Sequence, residues 1–120
     1  MADAGRRAAR SSPPRLRRSG DVRRVLRTGT THRSGRVVLY VAPGRGPSRA
    51  ALVTGRRVGR AVARNRARRL LREAWRTLGP RVEAGHDLVL AARGPFGRAT
   101  AAELTEETEG LFRRAGLIEA

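Results

Sequence analysis

The clearest apolar pattern in the chain has helical spacing and lies within residues 55 to 78. At about 100° per residue, its apolar positions share one narrow arc, as in a helix that packs one side on a core. Those positions are Ala63, Ala67, Leu70, Leu71, Ala74 and Leu78. Val62 lies off this arc, Trp75 lies at its border, and Gly79 followed by Pro80 is a standard helix stop. The pattern therefore predicts a long amphipathic helix.

A shorter helical pattern precedes it. Ser19 is a suitable N-cap, and Val22, Val25 and Leu26 follow at i, i+3 and i+4. Gly29 is the expected stop. These positions predict a short amphipathic first helix.

Between and after these helices, the pattern favours strands. Residues 30–34 give a weak strand signal, whereas Val37–Val41 is β-branched and apolar on both faces, as in a central strand. Turn residues fill 43–48, so Ala50–Thr54 is predicted to return beside Val37–Val41 in an antiparallel hairpin. Residues 87–93 are again apolar on both faces and predict a buried strand beside Val37–Val41.

A final helix is predicted from Thr100, which forms a capping box with Glu103, to a stop at Gly116. The element order is therefore α-β-β-β-α-β-α. This order predicts an α/β (α+β) fold, a small two-layer αβ sandwich with one mostly antiparallel sheet covered by helices.

A chain of 120 residues fits one domain. Residues 1–15 are basic, rich in Ser and Pro and without apolar period, and predict a disordered arm. Residues 16–117 form the predicted domain and residues 118–120 its C-terminal end. The arm either touches RNA or only adds solubility, and the sequence supports both interpretations equally.

Charge narrows the classes of partner. The formal net charge is +17, the pI is about 12.0, and all 27 basic residues are Arg. Such a balance indicates nucleic acid, or less readily an anionic membrane. No apolar run is long enough to span a bilayer, and the basic start lacks the apolar segment of a secretory signal. We therefore expect a cytoplasmic protein with no membrane partner.

The side of the long helix opposite the apolar arc is basic. It carries Asn65, Arg68, Arg69, Arg72 and Arg76. Between Gly55 and Arg76 the chain has nine arginines and a single acid, Glu73. A solvated helix normally places Glu four residues from Arg to relieve like-charge repulsion. A polyanion-binding side is therefore favoured over a plain solvated surface.

The sequence contains no catalytic constellation. His32 and His86 are the only histidines and are more than fifty residues apart. The acids do not pair at metal-binding spacing, and no nucleophile motif or P-loop occurs. We expect no catalytic residue and no metal site, so any chemistry must come from a partner.

Residues 56–73 resemble the signature of the protein subunit of bacterial ribonuclease P. The matching groups are Arg56-Arg57, Val58-Gly59, Ala61-Val62, Arg64-Asn65-Arg66, Arg68-Arg69, Leu70-Leu71 and Arg72-Glu73. The segments LRR from Leu16, VVLYV, GHDLVLAAR and LFRRAGL also resemble family segments in the expected order. The similarity spans about Leu16 to Leu117.

The resemblance implies that a catalytic RNA subunit, using Mg²⁺ bound mainly by that RNA, removes the 5′ leader from precursor tRNA. The protein would help to hold the leader and to stabilise the ribonucleoprotein, with no small-molecule substrate. It also implies a left-handed strand-helix-strand crossover, an exception to the usual hand. The implied RNA-binding residues are Arg56, Arg57, Arg60, Arg64, Asn65, Arg66, Arg68, Arg69, Arg72 and Arg76.

The implied leader cleft contains Val22, Leu26 and Tyr40. Family members usually have Phe where this chain has Val22 and Leu26, so base stacking, worth about 1–3 kcal/mol per base, should be reduced. Two other classes stay open: a ribosomal or other structural RNA-binding protein, and a helix-turn-helix DNA binder.

Overall fold

The computed structural model describes residues 13–119. Within that range the chain forms three α-helices and four strands. In chain order they are α1 (Ser19–Thr28), β1 (Thr30–Arg33), β2 (Val37–Pro43), β3 (Arg49–Val53), α2 (Ala61–Leu78), β4 (His86–Ala92) and α3 (Ala101–Arg114). This order confirms the predicted one, including the strand at residues 30–33 that had only a weak signal.

The helix boundaries follow from local chemistry. A single 3₁₀ turn, Arg56–Val58, precedes α2, and Gly59 then has a φ of 126°, which glycine adopts without steric cost. α2 therefore begins at Ala61, later than the start of the basic segment. α3 carries the predicted capping box, in which Thr100 and Glu103 satisfy each other's backbone N–H groups.

The sheet has the order β1-β2-β4-β3. β2 is antiparallel to β4, with Leu39 opposite Leu90, and β3 is parallel to β4, with Leu52 opposite Leu90. The predicted β2–β3 hairpin is therefore wrong, because β4 lies between these two strands. β4 is buried on both faces and takes a neighbour on each edge, while α2 provides the long connection that a parallel pair needs. The left-handed crossover that the family resemblance implies corresponds to the β3–α2–β4 unit, in which α2 connects two parallel strands.

Apolar side chains pack on both faces of the sheet. On one face, α2 and α3 cover the larger core, where Trp75 and Phe112 meet edge to face with ring centroids 6.3 Å apart. On the other face, α1 contributes Val25 to a smaller cluster with Leu16, Ala42, Ala51 and Val89. The predicted sandwich is therefore confirmed for α2, α3 and the sheet, and α1 adds a partial layer behind it.

The amino-terminal boundary differs from the prediction. Pro13–Arg15 were assigned to the arm, yet Pro13 is buried and Arg15 forms a parallel bridge with Ala50 of β3. The Leu16 N–H donates to the Ala50 carbonyl at 2.9 Å, and the Ala50 N–H donates to the Pro14 carbonyl at 3.2 Å. The edge of β3 has backbone groups that need partners, and this segment supplies them. The rest of the predicted arm, residues 1–12, lies outside the described residues.

The carboxyl-terminal boundary also shifts slightly. Ile118, assigned to the C-terminal end, is 7% exposed and belongs to the larger core. Apolar burial therefore continues one residue beyond the predicted domain.

Candidate nucleic-acid interface

Five of the six apolar positions predicted for α2 are buried, and the sixth, Ala63, is half-buried against the larger core. Ala67, Leu70, Leu71, Ala74 and Leu78 are each at most 8% exposed, while Val62 is 82% exposed. Trp75, expected at the border of the arc, is also buried. Its ring meets Phe112, and its indole Nε1–H donates to the Pro14 carbonyl at 3.1 Å. Both contacts come from segments distant in sequence, so helical spacing alone could not predict them.

The opposite side of α2 and the 3₁₀ turn before it form one exposed surface, which we call the basic face. Its exposed members are Arg56, Arg57, Arg60, Asn65, Arg68, Arg69, Arg72 and Arg76, and Arg64 is half-buried. Within residues 13–119, the pair between Arg76 and Glu73 is the only ion pair formed by an α2 arginine. The basic face therefore presents cationic donors with little internal compensation.

Arg66 differs from the other predicted RNA-binding residues. Its guanidinium donates to the carbonyls of Gly97 at 3.0 Å and Ala99 at 2.6 Å. These bonds tie the first half of α2 to the loop before α3. Arg66 therefore has a structural role in the free protein, which sequence position did not indicate.

The three predicted cleft residues lie on α1 and on the sheet face that α1 covers. Val22 and Tyr40 are half-buried and pack against the smaller cluster around Val25 and Val89. Leu26, one turn after Val22, is 42% exposed. The structure therefore brings Val22 and Tyr40 to one apolar surface and leaves Leu26 at its solvent side.

A buried carboxylate fixes α1 against this face. Asp87, at the start of β4, is 1% exposed and accepts from Arg24 of α1 at 2.5 Å. Arg49 of β3 donates to both carboxylate oxygens, at 3.1 and 2.9 Å. Arg24 also donates to the Pro43 carbonyl at 3.2 Å. Such a charge-assisted network sets where α1 lies over the sheet.

Sequence reasoning missed this network. An acid at the start of a buried strand, in a chain where Arg greatly exceeds acids, is a signal that the acid pairs with Arg. The partners lie 63 and 38 residues away, so no local spacing could identify them.

A second carboxylate holds the turn between β1 and β2. Glu107 of α3 accepts from the Ser34 hydroxyl, from the Arg36 backbone N–H at 2.7 Å and from the Arg36 guanidinium at 3.0 Å. Burial alone would raise the pKa of Glu107, but these hydrogen bonds outweigh it and keep the pKa below its usual range. The carboxylate is therefore ionised in its bonded state at neutral pH.

The acids elsewhere are dispersed. Within residues 13–119, no group of three or more His, Asp or Glu side chains is arranged to hold a metal ion. None of the helices in the same range is long and apolar enough to cross a membrane.

Comparisons with known proteins all indicate the same family. The family described as Ribonuclease P matches residues 11–116. The ribonuclease P protein component of Chloroflexus aggregans is 46% identical over 106 residues, covering 87% of this chain and 78% of the relative. That of Roseiflexus sp. is 40% identical over 108 residues, covering 88% of each.

Solved structures agree. The RNase P protein of Thermotoga maritima has a TM-score of 0.74 at 27% identity, covering 83% of this chain and 96% of the other. The Staphylococcus aureus RNase P protein, at 21% identity, shares the fold with a TM-score of 0.77, covering 88% of this chain and 97% of the other. The chain therefore belongs to the ribonuclease P protein family.

Proposed function

We propose that this chain binds the catalytic RNA of ribonuclease P and the 5′ leader of precursor tRNA, and so assists removal of that leader. Family membership supports a role as the protein component of a ribonucleoprotein enzyme. The observation that carries the proposal is the basic face of α2, which has a single acid, Glu73, for its many arginines.

The basic face fits RNA in its chemistry. Arginine presents a planar set of N–H donors that matches phosphate oxygens, and its guanidinium also stacks on bases. Such donors are presented by Arg64 and Arg68, and Asn65 adds amide N–H donors, on one side of a helix whose other side is fixed in the core. A rigid helix lowers the entropy cost of ordering the donors on binding. We therefore assign the contact with the catalytic RNA to this face.

The leader is assigned to the face covered by α1. Tyr40 is the one aromatic side chain among the three cleft residues, and Val22 and Leu26 offer aliphatic contact in place of stacking. Partial burial of Tyr40 and the Arg24–Asp87–Arg49 network keep this surface in place. Leader binding then depends on shape and phosphate contacts more than on stacked bases.

The bond cleavage itself is assigned to the RNA subunit, with Mg²⁺ bound mainly by that RNA. The part proposed for this chain is to bind and orient RNA through its own side chains. The proposal includes a cytoplasmic location, as expected for a protein that acts on precursor tRNA.

Two measurements distinguish the proposed function from the two rival protein classes, and the first is competition by duplex DNA. The protein should bind the ribonuclease P RNA of Chloroflexus aggregans at moderate salt, and duplex DNA of equal length should compete poorly. Equal competition by duplex DNA would favour a helix-turn-helix binder, although β3 and a 3₁₀ turn, not a short α-helix, precede α2.

The leader assignment has its own measurement. The holoenzyme should bind a precursor tRNA with a leader of several nucleotides more tightly than the same tRNA without one. A structural RNA-binding protein would show no such leader dependence, and equal affinities would remove the cleft assignment.

A further inference from the structure

The amino-terminal segment Pro13–Arg17 brings two further arginines to the basic face. Its path is fixed by contacts with β3 and α2. The Pro14 carbonyl accepts from the Trp75 indole N–H and from the Ala50 N–H, and the Leu16 N–H donates to the Ala50 carbonyl. Pro13 packs on Gly79, at the end of α2, so closely that a Cβ added to Gly79 would lie 2.6 Å from the proline ring. The segment is therefore held between the sheet edge and the helix.

Because Pro14 contacts Trp75, Arg15 and Arg17 follow it along the part of the surface where α2 carries Arg72 and, one turn earlier, Arg68. Arg68 donates to the Thr54 hydroxyl at 3.1 Å, which places it beside the end of β3. Arg72 follows about 6 Å further along the helix axis, toward the Trp75 contact with Pro14. Burial, and then the positive charges of Arg17, Arg72 and Arg68, lower the pKa of Arg15. The lowered pKa agrees with the position of Arg15 beside α2, which the bond between Pro14 and Trp75 sets.

Among residues 13–119, no acidic side chain pairs with the group of four arginines. None of the ion pairs within residues 13–119 includes Arg15, Arg17, Arg68 or Arg72. The Arg15 Nε–H is buried without a hydrogen-bond acceptor. A buried donor without a partner carries a desolvation penalty, and like charges nearby add to it. An anionic oxygen between these side chains would remove both penalties.

We propose that Arg15, Arg17, Arg68 and Arg72 form one phosphate-binding site that takes a backbone phosphate of RNA, so that the amino-terminal segment is part of the RNA interface. The site rests on the proposed function, because it continues the basic face along which RNA would lie. A phosphodiester carries the acceptor oxygens that several guanidinium groups can share. The phosphate comes either from the catalytic RNA or from the precursor tRNA.

Arg15→Gln tests the site, with Arg113→Ala as control. The control removes the same charge from an ion pair with Glu109 on α3, far in sequence from the site. In Arg15→Gln, affinity for the Chloroflexus aggregans ribonuclease P RNA should fall roughly fivefold to tenfold at 0.1 M salt, and the slope of log K against log salt should decrease by about one. The control should change affinity less than twofold.

Thermal melting of the free protein separates binding from structure. Since Arg15 is desolvated and repelled, Arg15→Gln should leave the Tm unchanged or raise it while RNA affinity falls. A lowered Tm with unchanged affinity would overturn the site and make Arg15 a structural residue.

Gly79→Ala provides a second test that alters no charge. Its Cβ would displace Pro13 and with it the two arginines of the segment, so RNA affinity should fall as in Arg15→Gln. In the double variant the two losses should be less than additive, because each disrupts the same site. Additive losses, or no loss in Gly79→Ala, would contradict the proposed docking.

Two binding measurements identify which RNA supplies the phosphate. A loss measured with the ribonuclease P RNA alone assigns it to the catalytic RNA. A loss seen only when the assembled holoenzyme binds precursor tRNA assigns it to the substrate. If wild type binds both RNAs and Arg15→Gln binds equally well in both measurements, the site is refuted while the proposed function stands. Failure of the wild-type protein to bind either RNA would instead refute the proposed function.

Discussion

Asp87 and Glu107 show how single residues organise a strongly cationic chain. Each carboxylate is mostly buried and bonded to arginine, Asp87 with Arg24 and Arg49 and Glu107 with Arg36. Removing one partner of such a pair leaves the other charge without compensation, which costs more than the pair contributes. These acids therefore position helices on the sheet at points that pattern analysis treated as ordinary strand or helix positions.

Glu107→Gln should show the contribution of the second carboxylate through its pH dependence. The pKa of Glu107 is lower in the folded protein, so its stabilisation is complete above the unfolded value of about 4.3 and is lost as pH falls through the folded pKa. Urea unfolding should give a deficit of about 1–3 kcal/mol for the variant at pH 7, shrinking below pH 4. A deficit independent of pH would contradict this assignment.

At the scale of elements, α2 was the most predictable part of the chain and the strand pairing the least. Helical spacing identified five of the six buried residues of α2, because one repeat sets which positions face the core. Trp75 was placed at the border since its partners, Phe112 and Pro14, are remote in sequence. The β2–β3 hairpin was predicted from a short turn, a local signal that could not reveal the insertion of β4.

Local sequence signals likewise predicted only part of the candidate site. Its basic face could be predicted as a helix face, and Val22 and Tyr40 meet on one surface as expected. The anchoring of Arg66 and the packing of Pro13–Arg15 could not be predicted, because both depend on backbone groups that only the tertiary fold brings near.

Leu71→Ala and Val62→Ala test the division of α2 into two sides. Leu71 is fully buried in the larger core, so its truncation should reduce the free energy of unfolding by about 2–5 kcal/mol. Val62 is exposed, and its truncation should change stability by less than about 0.5 kcal/mol. Fluorescence of Trp75, the sole tryptophan, reports unfolding in both variants. Similar losses in the two would contradict the observed orientation of α2.

Arg68→Ala and Arg72→Ala test the exposed side. Each should weaken RNA binding roughly fivefold to tenfold at 0.1 M salt and reduce the salt slope by about one, because each removes one phosphate contact. Arg113→Ala again serves as the charge-matched control. Unchanged slopes in both variants would exclude the basic face from the interface.

At the scale of the whole molecule, charge is distributed unevenly. Residues 1–100 contain 25 Arg and 5 acids, whereas residues 101–120 contain 2 Arg and 5 Glu. α3 carries four of the ten acids of the chain and packs against α2 on the side away from the basic face. This distribution orients the protein, since a polyanion is attracted more strongly to the basic face than to the side that carries α3.

The net charge of +17 should also make stability dependent on anions. Sulfate that binds the folded state preferentially relieves self-repulsion, so the Tm should rise with sulfate by about 4–8 °C for each kcal/mol gained. Sodium chloride at matched ionic strength is the control for screening. A Tm that responds equally to the two salts would show that specific anion binding is absent.

The central claim is that this protein assists an RNA catalyst, and reconstituted cleavage tests it most directly. The protein is mixed with the ribonuclease P RNA of Chloroflexus aggregans and a precursor tRNA, at a Mg²⁺ concentration too low for the RNA alone to cleave efficiently. We predict stimulated cleavage that yields the mature 5′ end, with less stimulation by the Arg68→Ala/Arg72→Ala double variant. If the wild-type protein binds this RNA but does not stimulate cleavage, the account is contradicted.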